Sequence, residues 1–108
     1  MATSTEFLDF VLEQLSGIGA LRHRKMFGEA MIYLNDRPVI LVCNDTVFVK
    51  QHDVIRDLME GAETGIPYKG AKDHYVLDID NAELSKQVVL ELEKVTPLPK
   101  KRKKKNEA

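Results

Sequence analysis

The sequence predicts a single α+β domain in which an antiparallel sheet carries its helices mainly on one face. Three observations lead there. The chain has 108 residues, a length that suits one domain. Helical periodicity is confined to stretches near the two ends and one in the middle. Between them lie short β-branched runs separated by two-residue polar turns, which join antiparallel neighbours. The predicted order is α-β-β-β-α-β-α.

A first helix is signalled by Phe7, Leu8, Phe10, Val11, Leu12, Leu15 and Ile18, a broad apolar stripe opposite Asp9 and Glu13. Thr3 and Glu6 have the spacing of a capping box, and Gly17 and Gly19 supply the stop. Arg22 to Phe27 is compatible with a strand bending at Gly28, and Ala30 to Leu34 reads as the next one. Asn35-Asp36 forms a turn, and Val39 to Cys43 has the composition of a central strand. Asn44-Asp45 then turns the chain into Val47-Phe48-Val49. Pro38 belongs at a strand start or an edge, where its missing N–H does no harm.

Asp53 is placed to cap a second helix, with Val54, Ile55, Leu58, Met59 and Ala62 on one face and Gly61 at its end. Gly65 to Ala71 reads as a loop. His74 to Ile79 alternates as a strand, with His74 and Val76 facing one way and Tyr75, Leu77 and Ile79 the other. Asp80 and Glu83 repeat the capping-box spacing and open a last helix. Leu84, Val88, Leu92 and Val95 form its core stripe, and Pro97 and Pro99 stop it. On that helix Leu90 falls on the polar side, which makes it a candidate interface residue.

The net charge of −1 hides an asymmetry. Residues 1–98, the predicted domain, hold 10 Lys/Arg against 16 Asp/Glu, a net of −6. Residues 99–108 hold 6 Lys/Arg against one Glu, a net of +5, and read as a disordered basic tail. Lys100, Lys101, Arg102, Lys103, Lys104 and Lys105 are candidate nucleic-acid contacts, since such runs attract phosphates in a salt-dependent way. The acidic body opposes that approach, and a solubilising end has the same composition. Arg22-His23-Arg24-Lys25 could likewise touch phosphates, although a charged edge strand that resists aggregation looks the same.

Signals of catalysis are weak. His23, His52 and His74 have no metal-ligand spacing, and no Walker loop, dinucleotide fingerprint or nucleophile elbow is present. Cys43 ends an apolar strand, where a free cysteine behaves as a small hydrophobe. Asp78 and Asp80 flank a helix start, which already explains them. The expectation is a protein that is not an enzyme and needs no cofactor or metal. Neither a transmembrane run of roughly 18 apolar residues nor a secretory signal is visible, so no membrane association and a cytoplasmic location are expected.

Arg24-Lys25-Met26-Phe27-Gly28-Glu29, followed by Ile32-Tyr33, resembles the opening of the TfoX/Sxy N-terminal domain family. The turns Asn35-Asp36 and Asn44-Asp45, the apolar strand between them and Val47-Phe48-Val49-Lys50 continue the likeness. Pro67-Tyr68 and Tyr75 look like the family's later aromatics. Arg24, Met26, Phe27, Gly28, Tyr33, Lys50, Pro67 and Tyr75 are the matched motif residues. Met26 and Phe27 are expected in the core, and Tyr33 presents an amphipathic ring. Lys50 precedes a predicted helix start, where the dipole does not favour a cation; it is either functional or a snorkelling lysine beside Asp53.

The resemblance implies an α+β domain of the secretion-chaperone-like type, linked to regulation of bacterial competence genes, whose founding members are transcriptional co-activators with a second, helical domain. A stand-alone relative without that domain is expected here. A weaker likeness to the MmcQ/YjbR-like proteins rests on Lys50, Pro67 and His74. The predicted function is a protein-interaction module acting through a protein partner or as a homodimer. The alternative is nucleic-acid binding through the tail. The strands Ala30–Leu34 and Val39–Cys43, apolar on both faces, support the first by implying an uncovered apolar sheet face.

Overall fold

A computed structural model of the chain describes residues 4–26 and 29–98, with the backbone alone at Met26. The motif residues Phe27 and Gly28, Thr3 of the expected first cap and the basic run 99–108 lie outside the described residues. The core expectation for Met26 likewise falls on an undescribed side chain.

Helix α1 (Thr5–Gln14) is followed by β1 (Leu21–Met26), β2 (Glu29–Leu34), β3 (Arg37–Cys43) and β4 (Thr46–Val49). A 3-10 turn at Asp53–Ile55 leads to β5 (Thr64–Gly65), β6 (His74–Val76) and α2 (Ala82–Val95). All pairings are antiparallel, and the strand order is β1-β2-β3-β4-β6-β5. The α+β class and the element order therefore follow the sequence closely. Two strands exceed that order: β4, formed on the Val47-Phe48-Val49 stretch read after the Asn44-Asp45 turn, and the short β5 at the start of the region read as a loop.

The Asn35-Asp36 and Asn44-Asp45 turns are tight because their residues accept the left-handed region. Asn35 and Asp36 have φ of 52° and 68°, and Asn44 and Asp45 have 54° and 55°. Short polar side chains tolerate this conformation, which matches the twist of the flanking strands. Pro38 sits beside a bulge: Ile32 faces Ile40 while Tyr33 faces Pro38, leaving Val39 as the extra residue. The β4 pairing begins only at Leu41, so the missing proline N–H breaks no ladder bond on that side.

Helix caps differ from the capping-box reading by one residue each time. Ser4, through its side-chain oxygen, accepts from the Phe7 N–H, and Asn81 accepts from the Leu84 N–H. In each case the carboxylate expected to answer the cap stays exposed, so the capping side chain alone selects the start. The middle segment is not a full α-helix. Only a 3-10 turn forms at Asp53–Ile55, capped by His52 rather than Asp53, and turns continue to Gly61. Ile55 and Met59 still anchor it in the core.

The main core lies between the sheet and the two helices. It joins Leu8, Val11 and Leu15 of α1 and Val88, Val89 and Leu92 of α2 to Ala30, Ile32, Leu34, Ile40, Val42, Val47 and Val49 of the sheet. Tyr75, Leu77 and Ile79 face this side and His74 and Val76 the other, as the alternation predicts. On α2 the stripe is wider than expected. Val89 and Ser85 are fully buried, with the Ser85 hydroxyl donating to the Asp78 carbonyl at 3.2 Å. Val95, expected in the core, is instead exposed, because it lies past Leu92, the last buried residue of α2.

Side-chain ties fix the helices to the sheet. Gln14 Nε2 donates to the Ile79 carbonyl at 2.8 Å, and Asp45 accepts from the Ser4 N–H at 2.8 Å. Arg37 donates to the Thr96 carbonyl at 2.7 Å and approaches Glu93 at 3.4 Å, closing the end of α2 onto β3.

Candidate functional site

The second face of the sheet is where the expected surplus of apolar surface should appear. It carries a smaller cluster of Leu41, Cys43 and Phe48, with Met31 and Val76 packed against it. Contrary to the expectation of an uncovered face, much of it is shielded. Arg22 lies over the Tyr33 ring at 4.2 Å and pairs with Asp36 at 3.0 Å, leaving Tyr33 buried. The loop between β5 and β6 folds across Cys43, where the thiol donates to the Pro67 carbonyl at 2.9 Å. Pro67 is itself buried, while its neighbours Ile66 and Tyr68 are 60% and 49% exposed. A proline between two apolar residues thus acts as a pin that turns both of them outward.

Burial, followed by the Glu29 carboxylate, holds the Cys43 thiol above its ordinary value of 9.0. The neutral, hydrogen-bonded thiol agrees with its reading as a small hydrophobe. Among the described residues, no group of three His, Cys, Asp or Glu side chains is placed to hold a metal ion. None of the described helices is long and apolar enough to cross a membrane.

The motif residues divide between the two faces. Register puts Arg24 opposite Met31 and Tyr33 opposite Arg22, both on the second face, while Tyr75 packs into the main core. The Arg22–Lys25 cluster lies on the terminal strand of the sheet, where its charges guard an edge; Lys25 Nζ donates to Thr5. Lys50 is exposed at the end of β4, but Asp53, its expected neighbour, pairs with Arg56 instead.

Lys50 lies at the mouth of a groove of about 610 Å³ on the second face. Met31, Leu41 and Phe48 supply apolar lining, and His52, Tyr68, Lys72 and His74 share the rim. The His74 ring meets Phe48 edge-on, with centroids 6.4 Å apart, and its Nδ1 donates to the Lys72 carbonyl at 2.7 Å. Asp73, the carboxylate of this rim, is held by Gln51 Nε2 at 3.2 Å. A second depression of about 530 Å³ on the other side has the opposite character, with Asp45, Glu60, Glu63, Asp78 and Asp80 around it.

Lys50 and His74 stand out in the sequence through the weaker MmcQ/YjbR likeness, whereas Lys72 carries no signal there. Lys72 and His74 stand more than twenty residues away and meet it only through the β4–β6 pairing. The usable signal was Ile66-Pro67-Tyr68, an apolar triplet inside a glycine-flanked loop. Leu90 is 37% exposed on the outer side of α2, as its helical phase predicts.

An antiparallel sheet with helices on one face, and a loop-covered second face bearing the matched arginine, tyrosine and lysine, defines a small α+β domain. Comparison with known proteins agrees with the motif. The family model of the TfoX N-terminal domain matches residues 13–92, so the chain belongs to that family. It is also 32% identical over 105 residues to an uncharacterized 12.7 kDa protein in the trpE 5′ region of Spirochaeta aurantia, covering 95% of this chain and 91% of the relative. The family match stops short of the basic run 99–108.

Proposed function

We propose that the chain is a non-enzymatic interaction module that works in the cytoplasm through a protein partner, within bacterial transcriptional or competence regulation. Family membership supports the regulatory setting. The observation that carries the interaction role is the Ile66-Pro67-Tyr68 loop. Two large apolar side chains are held outward by a buried proline, an arrangement the core does not need and a partner does. Leu90 and Val54 add separate exposed apolar positions.

The test is affinity capture from bacterial cells with the full chain and with an Ile66→Asp/Tyr68→Ser variant. A specific companion retained by the first and lost by the second supports the reading. Identical recovery with both removes the loop as the contact. Light scattering on the full chain decides the homodimer form, and a monomer at high concentration rules it out.

A second reading, nucleic-acid contact, is favoured by the basic run 99–108 and by the placement of Arg22 and Arg24 on one face. Deleting residues 99–108 should abolish duplex binding and flatten its salt dependence. No binding at low salt by the full chain eliminates it.

A further inference from the structure

The groove at the end of β4 differs from the remainder of an acidic domain. Residues 1–98 carry a net of −6, yet the groove rim gathers Lys50 and Lys72 together with two of the three histidines. The carboxylate there, Asp73, accepts from Gln51. The two imidazoles are oriented by backbone groups. His52 accepts the Val54 N–H on Nδ1 at 3.3 Å, which leaves its proton on Nε2 as a donor. His74 uses its Nδ1 proton on the Lys72 carbonyl, which fixes the ring beside that lysine.

Beside these polar groups, part of the lining is apolar and aromatic. Phe48 and Leu41 form part of it, and Tyr68 stands at the rim with half its surface exposed. A volume of about 610 Å³ falls within the range of small-molecule sites, which combine an apolar body with a few convergent polar groups. It also exceeds what one side chain from a partner would fill. The geometry points to a binding site for a small aromatic organic anion, its ring against Phe48 and Tyr68 and its anionic group between Lys50 and Lys72. Charge complementarity selects the anion, and the apolar side chains of Leu41 and Phe48 select the ring. A nucleic-acid strand fits less well, because Arg22, which would extend the basic track along the sheet, is engaged by Asp36 and Tyr33. This site does not depend on the interaction role of the Ile66–Tyr68 loop.

Nitrogen-15 NMR titration of the full chain tests it, with 2-naphthoate as probe and 2-naphthol and 2-naphthylmethylamine as neutral and cationic controls. Naphthoate should move the amides of Leu41, Phe48, Lys50, Lys72 and His74. Its dissociation constant should be on the order of 1 mM, ordinary for about a dozen non-hydrogen atoms. Lys50→Ala/Lys72→Ala, at exposed positions, should weaken it by about tenfold or more while leaving the spectrum of the free protein folded. Equal affinity for the neutral or cationic control overturns the proposal. So does an absence of shifts at about 10 mM naphthoate, or affinity unchanged in the double variant. A twelve-nucleotide single strand provides the last arm: if it, and not naphthoate, shifts these amides together with those of Arg22 and Arg24, the face is a nucleic-acid surface and the small-anion site is refuted.

Discussion

Val89 and Leu90 are adjacent on α2, yet the first is fully buried and the second is 37% exposed. At 100° per residue, Leu84 and the buried positions Ser85, Val88, Val89 and Leu92 span about 140°, and Leu90 lies roughly 100° beyond that arc. Val89→Ala removes two methyl groups from the core. At about 0.8 kcal/mol each for lost transfer, the first part comes to ~1.6 kcal/mol. An unrelaxed cavity of about 40 Å³ adds ~1 kcal/mol at roughly 24 cal/mol per Å³. The expected loss is therefore about 2.5 kcal/mol, or a drop in Tm of ~12 °C at about 5 °C per kcal/mol. Leu90→Ala should stay within about 0.5 kcal/mol, since half-open surface positions lose little and alanine favours the helix. Leu90→Asp should do the same, because Lys86 and Lys94 stand one turn away on either side. Urea unfolding followed by circular dichroism measures all three. Equal losses for Val89→Ala and Leu90→Ala would refute the packing of α2 on the sheet and withdraw Leu90 as an interface position.

Four further outcomes are expected. Val95→Ala should cost less than about 0.5 kcal/mol in the same assay, because Val95 is exposed at the end of α2. Arg37→Ala should destabilise by about 1–2 kcal/mol, and hydrogen exchange should show faster opening at residues 92–96, where Arg37 closes the helix end. Asp36→Gly should prove more stabilising than Asp45→Gly. Both relieve a positive φ, but the first gives up an exposed ion pair worth about 0.2–1 kcal/mol and the second leaves the Ser4 N–H without its acceptor. For Cys43, the folded thiol titrates above the unfolded one, so the folded state holds the proton longer. Its contribution is intact below pH 9.0 and declines as pH rises through the folded value. The stability difference between the native chain and Cys43→Ala should therefore shrink above pH 9, and a constant difference up to pH 11 excludes this linkage.

The sequence by itself determined most of the scaffold, because its information there is local. Two-residue Asn-Asp turns admit only tight antiparallel connections, and the alternation from His74 to Ile79 assigned each side chain to its face. The apolar stripe of α1 and the prolines after α2 set helix limits to within a few residues. The Arg24-to-Lys50 pattern was specific enough to place the chain in its family. What escaped depends on residues distant in the chain. Capping by Ser4 and Asn81 instead of their neighbours turned on a one-residue choice that spacing does not resolve. Val95 has the right phase but lies past Leu92, the last buried residue of α2, and Val89 is buried although it falls outside the expected stripe. The second sheet face reads as bare because strand composition shows two apolar sides. Only the tertiary structure lays the Pro67 loop over Cys43 and Arg22 over Tyr33. Pairing of β6 with β4 then carries His74 and Lys72 to Lys50, so the groove exists through a long-range contact that no local pattern encodes.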